Sequence, residues 1–173
     1  QIFTRLFCNS GNGNITNGSK ETNGCGKLNS FDENVLQTIR KQGVTHIWFT
    51  GVIAHASRTD YSRYGIPTSH SATVKGNAGS PYAIRDYFDI DPDLAANVRC
   101  RMKEFTNLVD RVHAQGMKFI MDFVPNHVAR EYKSVKRPKK YDELGENDNK
   151  NYRFDKDNNF YYIPGSTLTL PFG

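Results

Sequence analysis

The distribution of hydrophobic and polar residues predicts alternating strands and helices. Apolar, β-prone runs at 2–7, 45–50 and 118–123 are typical of strands, and the continuous run at 118–123 is typical of a strand buried in a parallel sheet. Segments of roughly 30–42 and 95–115 repeat apolar residues every three to four positions, which predicts helices with one buried face. The resulting order of strand, helix, strand, helix, strand predicts an α/β fold with a parallel sheet and right-handed crossovers.

Local signals indicate where the helices begin and end. Ser30 and Glu33 have the spacing of a capping box, so the first helix is expected to begin with Ser30 as its N-cap. Gly43 and Gly116 follow the last apolar positions of the two helices. Glycine is the usual residue just after a helix, so both are predicted helix ends.

The remaining segments read mainly as loops. Residues 9–29 are crowded with Gly, Asn, Ser and Thr, and 51–80 has scattered Gly, Ser, His and Tyr without periodicity. A loop as long as 51–80 is usually functional or disordered. The regular pattern is lost after residue 129, where only 159–163 is predicted to form a short strand.

Length and charge exclude some classes of protein. The 173 residues suffice for one ordinary core, and no segment approaches the ~18 to 20 apolar residues of a membrane span. The net charge of +5 is modest, and its densest source, 133–140, contains no interleaved aromatic residues of the kind that bind single-stranded nucleic acid. A solvated loop is therefore favoured there over a polyanion site, and no nucleic-acid partner is expected.

The cysteines argue against a zinc site. Cys8, Cys25 and Cys100 are an odd number without C-x-x-C spacing. Cys8 and Cys25 flank a Gly- and Asn-rich loop, and they form a disulfide in an exported protein or remain free thiols.

Polar chemistry is concentrated at the end of the third predicted strand. Asp122, Asn126 and His127 place a carboxylate, an amide and an imidazole within six residues. In βα-repeat enzymes the carboxyl ends of the strands carry the chemistry, because the loops there converge on one crevice. The sequence therefore predicts a site at this position.

These residues resemble a known signature. Asp122 to His127 reads D-F-V-P-N-H and is similar to the D-x-x-x-N-H motif of the α-amylase family, glycoside hydrolase family 13. Three further stretches resemble that family in the same order. They are 1–7, similar to its first barrel strand; 43–51, similar to its second strand; and 82–92, similar to its Tyr-x-x-x-Asp-Tyr segment followed by Ile-Asp-Pro.

The resemblance implies a fold larger than this chain. It implies a partial (β/α)8 TIM barrel of about three βα units over 1–127, with 128–173 as the start of an inserted domain B. A complete barrel needs about 200 to 250 residues. The chain is therefore expected to be an N-terminal fragment of a larger enzyme.

The resemblance also implies roles for five residues. Tyr82 would stack on the sugar at the cleavage subsite, and His127 would hydrogen-bond the hydroxyls of that sugar. Asp86 and Asp122 would orient neighbouring groups, such as an arginine from a later strand, and Asn126 would be a ligand of Ca²⁺. Each has a structural alternative: a surface tyrosine, a loop histidine, a satisfied carboxylate or a turn asparagine without metal.

The implied activity is hydrolysis of α-glucosidic bonds in starch-like α-glucans by a retaining mechanism, which uses two carboxyl groups about 5 to 5.5 Å apart. The family carries these groups on its fourth and fifth strands, so no catalytic residue is assigned and the fragment alone is expected to be inactive. The alternative is a catalytically inactive relative that acts as a carbohydrate-binding or scaffold protein. An unrelated three-stranded module is the third hypothesis. Export to the periplasm or the cell exterior is expected by analogy with polymer-degrading relatives.

Overall fold

The computed structural model describes residues 1–11 and 13–166, and the chain divides into two compact units, Gln1–Val135 and Lys136–Gly173. The first unit contains all the helices and strands of the described residues. They are β1 (Ile2–Phe3), α1 (Lys20–Asn23), α2 (Glu33–Lys41), β2 (His46–Thr50), β3 (Ile53–His55), β4 (Ile84–Ile90), α3 (Arg101–Ala114) and β5 (Lys118–Met121).

A parallel sheet in the order β1-β2-β5 forms the centre of the first unit, as the sequence pattern predicts. The prediction that 118–123 is a buried strand is wrong for the described chain, because β5 lies at the edge of this sheet and is mostly exposed. Phe49 is fully buried on the helix-covered face of this sheet. Trp48 and its register partner Ile120 project from the opposite face and are 42% and 43% exposed. The sheet of the described residues is open and is not closed into a barrel.

The core under the sheet is built on aromatic rings. Phe7 stacks on Phe31 with centroids 4.8 Å apart, Phe31 meets Phe49 edge-on at 5.1 Å, and Phe49 stacks on Phe119 at 4.5 Å. Phe105 of α3 closes the row against Phe119 at 5.6 Å. These contacts join the 3₁₀ turn before α2, the parallel sheet and α3 into one apolar layer.

Both long helices end at the predicted glycines, but α2 does not begin at the predicted N-cap. Gly43 and Gly116 have φ of +84° and +68°. The N-cap of α2 is Asp32, whose carboxylate accepts from the backbone N–H of Val35 at 2.9 Å. The prediction of Ser30 as N-cap is wrong, because Ser30 ends a preceding 3₁₀ turn.

α3, which corresponds to the second predicted helix, begins at Arg101 rather than near residue 95. Two 3₁₀ turns, Pro92–Leu94 and Val98–Cys100, occupy the segment before Arg101. Within this stretch the Glu104 carboxylate accepts from the backbone N–H groups of Ala96 and Asn97, at 2.9 and 2.7 Å. These bonds stabilise an irregular lead-in where the apolar pattern alone predicts helix.

The long predicted loop contains an unpredicted strand, and a second strand follows it. β3 pairs antiparallel with β4 through an irregular register. β4 carries buried charged residues, including Asp89, which binds the Arg101 guanidinium through both oxygens at 2.7 and 2.6 Å. Buried charges interrupt the alternation by which strands are recognised.

The second unit has no helix or strand within residues 136–166, the part that the structure describes. The Asp148 carboxylate organises its centre by accepting from the backbone of Asn159 and Phe160 and from the hydroxyl of Tyr162, each at 2.9 Å. The prediction of a strand at 159–163 is wrong, because these backbone donors bind a side chain rather than a neighbouring strand.

No helix among the described residues is both long enough and apolar enough to span a bilayer. Cys8, Cys25 and Cys100 are free thiols, and burial raises the pKa of Cys25 to about 11.

Candidate functional site

The carboxyl ends of β1, β2 and β5 meet at one edge of the parallel sheet. Asp122 lies just beyond β5 rather than on it, and its backbone N–H donates to the carbonyl of Phe49 at 3.0 Å. This bond carries the ladder one residue past the strand and fixes the half-buried Asp122 at the edge.

Tyr82 is brought to the same edge by the loop that precedes β4. It is 46% exposed and lines an open cleft of about 440 Å³ together with Gln1, Phe3, Thr50 and Pro81. One wall of the cleft therefore comes from the ends of β1 and β2, and the other from the Pro81–Tyr82 turn.

Gly51 permits this close approach. Its φ is +76°, and a Cβ there would lie 2.9 Å from the Phe3 ring and 3.1 Å from Cβ of Pro81. Both the backbone conformation and the lack of space therefore require glycine at the turn that follows β2.

Asn126 and His127 are exposed on the segment after β5. Nδ1 of His127 lies 2.7 Å from Oδ1 of Asn126. An amide oxygen can only accept, so Nδ1 carries a proton, and in the neutral ring Nε2 is the acceptor. The pair therefore presents one imidazole acceptor in a defined orientation.

Asp86 is fully buried in β4 and binds backbone groups. Its Oδ1 accepts from the N–H of Phe88 at 2.8 Å and its Oδ2 from the N–H of Val135 at 2.7 Å. Asp86 thus anchors the chain at Val135, C-terminal to His127. Its predicted role toward an arginine of a later strand stays a prediction.

Backbone bonds continue this anchoring along β4. The contacts are Ala129 N–H to Ile84 O at 2.7 Å and Lys133 N–H to Arg85 O at 3.0 Å. The segment that carries Asn126 and His127 is irregular, yet it is held in register against a strand.

Behind this edge lies a buried network of charged residues that the sequence motifs do not predict. The side chain of His55 is 3% exposed, and its Nδ1 lies 2.8 Å from Oδ2 of Asp91, at an angle outside hydrogen-bond geometry. Its Nε2 lies 3.2 Å from the carbonyl of Ala78. Both ring nitrogens face oxygens that only accept, which favours the doubly protonated imidazolium.

The pKa shifts of this pair agree with that assignment. Burial is the largest single influence and would lower the pKa of His55, but the interactions with Asp91 and the negative charge of Asp93 together outweigh it, so the pKa is raised. Burial alone would raise the pKa of Asp91, but the charges of His55 and Arg5 lower it to about 2. His55 therefore stabilises the fold and does not line the cleft.

Asp93 extends the network toward β1. Its Oδ1 accepts from the Tyr61 hydroxyl at 2.5 Å, and its Oδ2 accepts from the Arg5 guanidinium. Lys20 in turn donates to the Tyr61 hydroxyl at 2.8 Å. Asp91 and Asp93 flank Pro92 in the sequence, and the Ile-Asp-Pro motif is the one local signal that points to them.

Asn126 offers a calcium ion a single ligand atom, its side-chain oxygen. Its Oδ1 accepts from His127, which leaves one lone pair for a metal. No group of three or more His, Cys, Asp or Glu side chains in the described parts of the chain is placed to hold a metal ion. Calcium takes six to eight oxygens, so Asn126 would be one ligand among several, and its role stays a prediction.

Comparisons with known proteins agree with the motifs. The α-amylase catalytic-domain family model matches residues 1–168. A cyclomaltodextrin glucanotransferase of Bacillus sp. (strain 38-2) is 26% identical in an alignment of length 141, which covers 75% of this chain and 17% of that protein. The amino acid transporter heavy chain SLC3A1 of Rattus norvegicus is 46% identical over 48 residues, which are 28% of this chain and 6% of that protein.

A solved structure shares the fold. The α-amylase of Lactobacillus plantarum superposes with a TM-score of 0.50 and 26% identity, over 78% of this chain and 23% of that one. The chain thus spans less than a quarter of each of these relatives. Because the family model matches nearly the whole length of this chain, the chain belongs to the α-amylase catalytic-domain family of glycoside hydrolases.

Proposed function

We propose that the chain is part of a retaining α-amylase-type hydrolase that cleaves α-glucosidic bonds of starch-like α-glucans. Its three parallel strands would belong to a (β/α)8 barrel, and the residues after 127 would begin an inserted domain B. The observation that carries the proposal is the carboxyl edge, which holds both the cleft lined by Tyr82 and Thr50 and, bound to the carbonyl of Phe49, Asp122 at the start of the D-x-x-x-N-H segment. Family membership implies α-glucan substrates.

The side chains at this edge suit sugar binding. The exposed ring of Tyr82 offers an apolar face to the C–H face of a pyranose. Nε2 of His127 accepts from a sugar hydroxyl, since Nδ1 is engaged by Asn126. Asp122 is placed at the edge to orient a neighbouring donor through a charge-assisted bond.

The bond-breaking step requires groups supplied by other strands. A retaining glycosidase uses one carboxylate as nucleophile and one carboxylic acid as proton donor. The family carries them on its fourth and fifth barrel strands, whereas the described parallel sheet has three strands. In this proposal the chain binds and orients the glucan, and it contributes no catalytic residue.

Titration of the purified chain with maltotetraose, followed by NMR, tests the sugar-binding role. We expect saturable shifts at Tyr82 and His127, smaller shifts with the β-linked cellotetraose, and loss of saturation in Tyr82→Ala. The matched control is Tyr152→Ala, which removes a 58% exposed tyrosine from the second unit. Equal binding by Tyr82→Ala, or none by the unchanged chain, contradicts the proposal.

A second candidate is a catalytically inactive relative that acts as a carbohydrate-binding or scaffold protein. The 48-residue match to an amino acid transporter heavy chain favours it, since that protein's name describes a transporter subunit. The two candidates differ in the longer protein: the hydrolase has the two carboxylates and releases reducing sugar, and the scaffold does neither.

Two further features belong to the proposal. Asn126 would ligate Ca²⁺ once backbone oxygens or other segments complete the set, as the preference of calcium for neutral and charged oxygens allows. The protein would be exported to the periplasm or the cell exterior, where polymeric α-glucans are met.

A further inference from the structure

The His127 loop (residues 123–128) lies between two anchored points. Asp122 is bound to the parallel sheet through the Phe49 carbonyl, and Ala129 is bound to β4 through the Ile84 carbonyl. The loop itself is neither helix nor strand. The position of the His127 imidazole therefore depends on what holds the backbone between these points.

The Tyr87 hydroxyl lies at the centre of this loop. It is directed to the carbonyl of Val124 and lies 3.2 Å from the carbonyl of His127. The two carbonyls bracket Pro125 and Asn126. One phenol has a single proton, which it shares between two acceptors at the two ends of the turn.

The ring of Tyr87 is itself held in place. Its centroid lies 5.5 Å from that of Phe123 and 5.8 Å from that of Tyr132, at tilted angles. Tyr87 belongs to β4, next to Asp86, whose carboxylate binds the Val135 N–H. The hydroxyl thus projects from a fixed ring on a fixed strand.

We propose that Tyr87 is a positioning residue for His127: its hydroxyl fixes the backbone turn from Val124 to His127, and Asn126 then fixes the imidazole on that turn. Nε2 is thereby presented in one orientation before a ligand arrives. Preorganisation of this kind reduces the ordering cost of binding. The sugar as ligand rests on the proposed function, but the positioning itself does not.

The test is Tyr87→Phe, which keeps the ring contacts and removes the hydroxyl. Hydrogen exchange of the Asp122 and Ala129 amides, which donate to Phe49 and Ile84 at the two ends of the loop, should become about five- to tenfold faster, as expected for loss of one hydrogen bond that holds the loop. Exchange in β2 and β5 should not change. In ¹⁵N–¹H spectra of the neutral ring, His127 should change from one dominant tautomer to a mixture.

The matched control is Tyr132→Phe, which removes a hydroxyl that lies 3.0 Å from Oγ of Ser134. It should leave the exchange of the Asp122 and Ala129 amides and the His127 tautomer unchanged. Unchanged exchange in Tyr87→Phe overturns the proposal, as does equal acceleration in the control or uniform acceleration through β2 and β5.

Maltotetraose titration of the same variants separates this proposal from the proposed function. If the unchanged chain binds, Tyr87→Phe should weaken binding while Tyr132→Phe does not, and equal binding by all three overturns the proposed role. If the unchanged chain does not bind, the sugar-binding function fails, while the exchange and tautomer measurements still decide whether Tyr87 positions His127.

Discussion

At the scale of single residues, the buried His55–Asp91 pair links stability to pH. The folded-state pKa of His55 is raised above 6.5, so its contribution is complete below that value and is lost as the pH rises through the raised pKa. The pKa of Asp91 falls from 3.8 to about 2, so its contribution is complete above 3.8 and is lost as the pH falls toward 2. Both contributions are therefore complete only from about pH 4 to 6.5.

We expect the free energy of unfolding, measured with urea, to be greatest within that window and to fall on both sides. Replacement of His55 by Gln should cost about 3 to 5 kcal/mol at pH 6, because it leaves Asp91 buried without its partner. The loss should shrink as the pH rises, since unprotonated His55 no longer neutralises the carboxylate.

The control for this measurement is His113→Gln, which removes an exposed histidine on α3. It should leave the dependence of stability on pH unchanged above pH 6.5. If the pH dependence survives in His55→Gln and disappears in His113→Gln, His55 is not its cause and the prediction is wrong.

The same pair shows what local sequence can and cannot predict about the site. Asp122, Asn126 and His127 lie within six consecutive residues, so their pattern is visible in the sequence. His55 and Asp91 are 36 residues apart and meet only because β3 pairs with β4. A contact created by strand pairing leaves no periodic trace in either segment.

At the scale of elements, the parallel core was predictable and the β3–β4 pair was not. β2 and β5 each contain a run of three apolar residues, 47–49 and 119–121, and glycines with positive φ end the helices that precede them. β4 carries Arg85, Asp86 and Asp89 in buried positions, which makes it look like loop. Arg101 pairs with Asp89, backbone N–H groups donate to Asp86, and Arg85 donates to the carbonyl of Pro67. Such partners are visible only once the chain is folded.

The turn after β2 makes a prediction at this scale. Gly51→Ala forces a non-glycine residue to φ +76° and also pushes its Cβ against Phe3 and Pro81. The backbone conformation alone should lower the free energy of unfolding by about 1 to 2 kcal/mol. We expect a larger loss, because the Tyr82 loop must also move away from β1. Urea unfolding measures the stability, and maltotetraose titration measures the cleft.

Gly43→Ala is the matched control for this substitution. Gly43 has φ +84°, but a Cβ added there meets nothing within 4 Å. It should lose only the backbone cost and leave sugar binding unchanged. If the two variants lose equal stability and bind equally, close packing at Gly51 does not shape the cleft.

At the scale of the whole molecule, the open sheet relates the fold to the family. Trp48 and Ile120 lie on the sheet face away from α2 and α3 and are more than two-fifths exposed. In a closed barrel the inward face of each strand is packed by the other strands. The exposed face is thus consistent with a sheet that, in the family's complete catalytic domain, continues around a barrel.

The final prediction separates binding from catalysis. The 173-residue chain should release no reducing sugar from maltotetraose, because retaining cleavage needs two carboxyl groups about 5 to 5.5 Å apart, which the family carries on strands beyond these three. A longer protein that adds those strands should release it, and replacing His127 by Ala there should lower kcat/KM by about 10- to 150-fold, equivalent to 1.5 to 3 kcal/mol of hydrogen bonding.

Release by the chain alone would instead require an acid and a nucleophile within it. Asp86→Asn and Asp122→Asn would then show which carboxylate takes part, and the binding-only role would be abandoned.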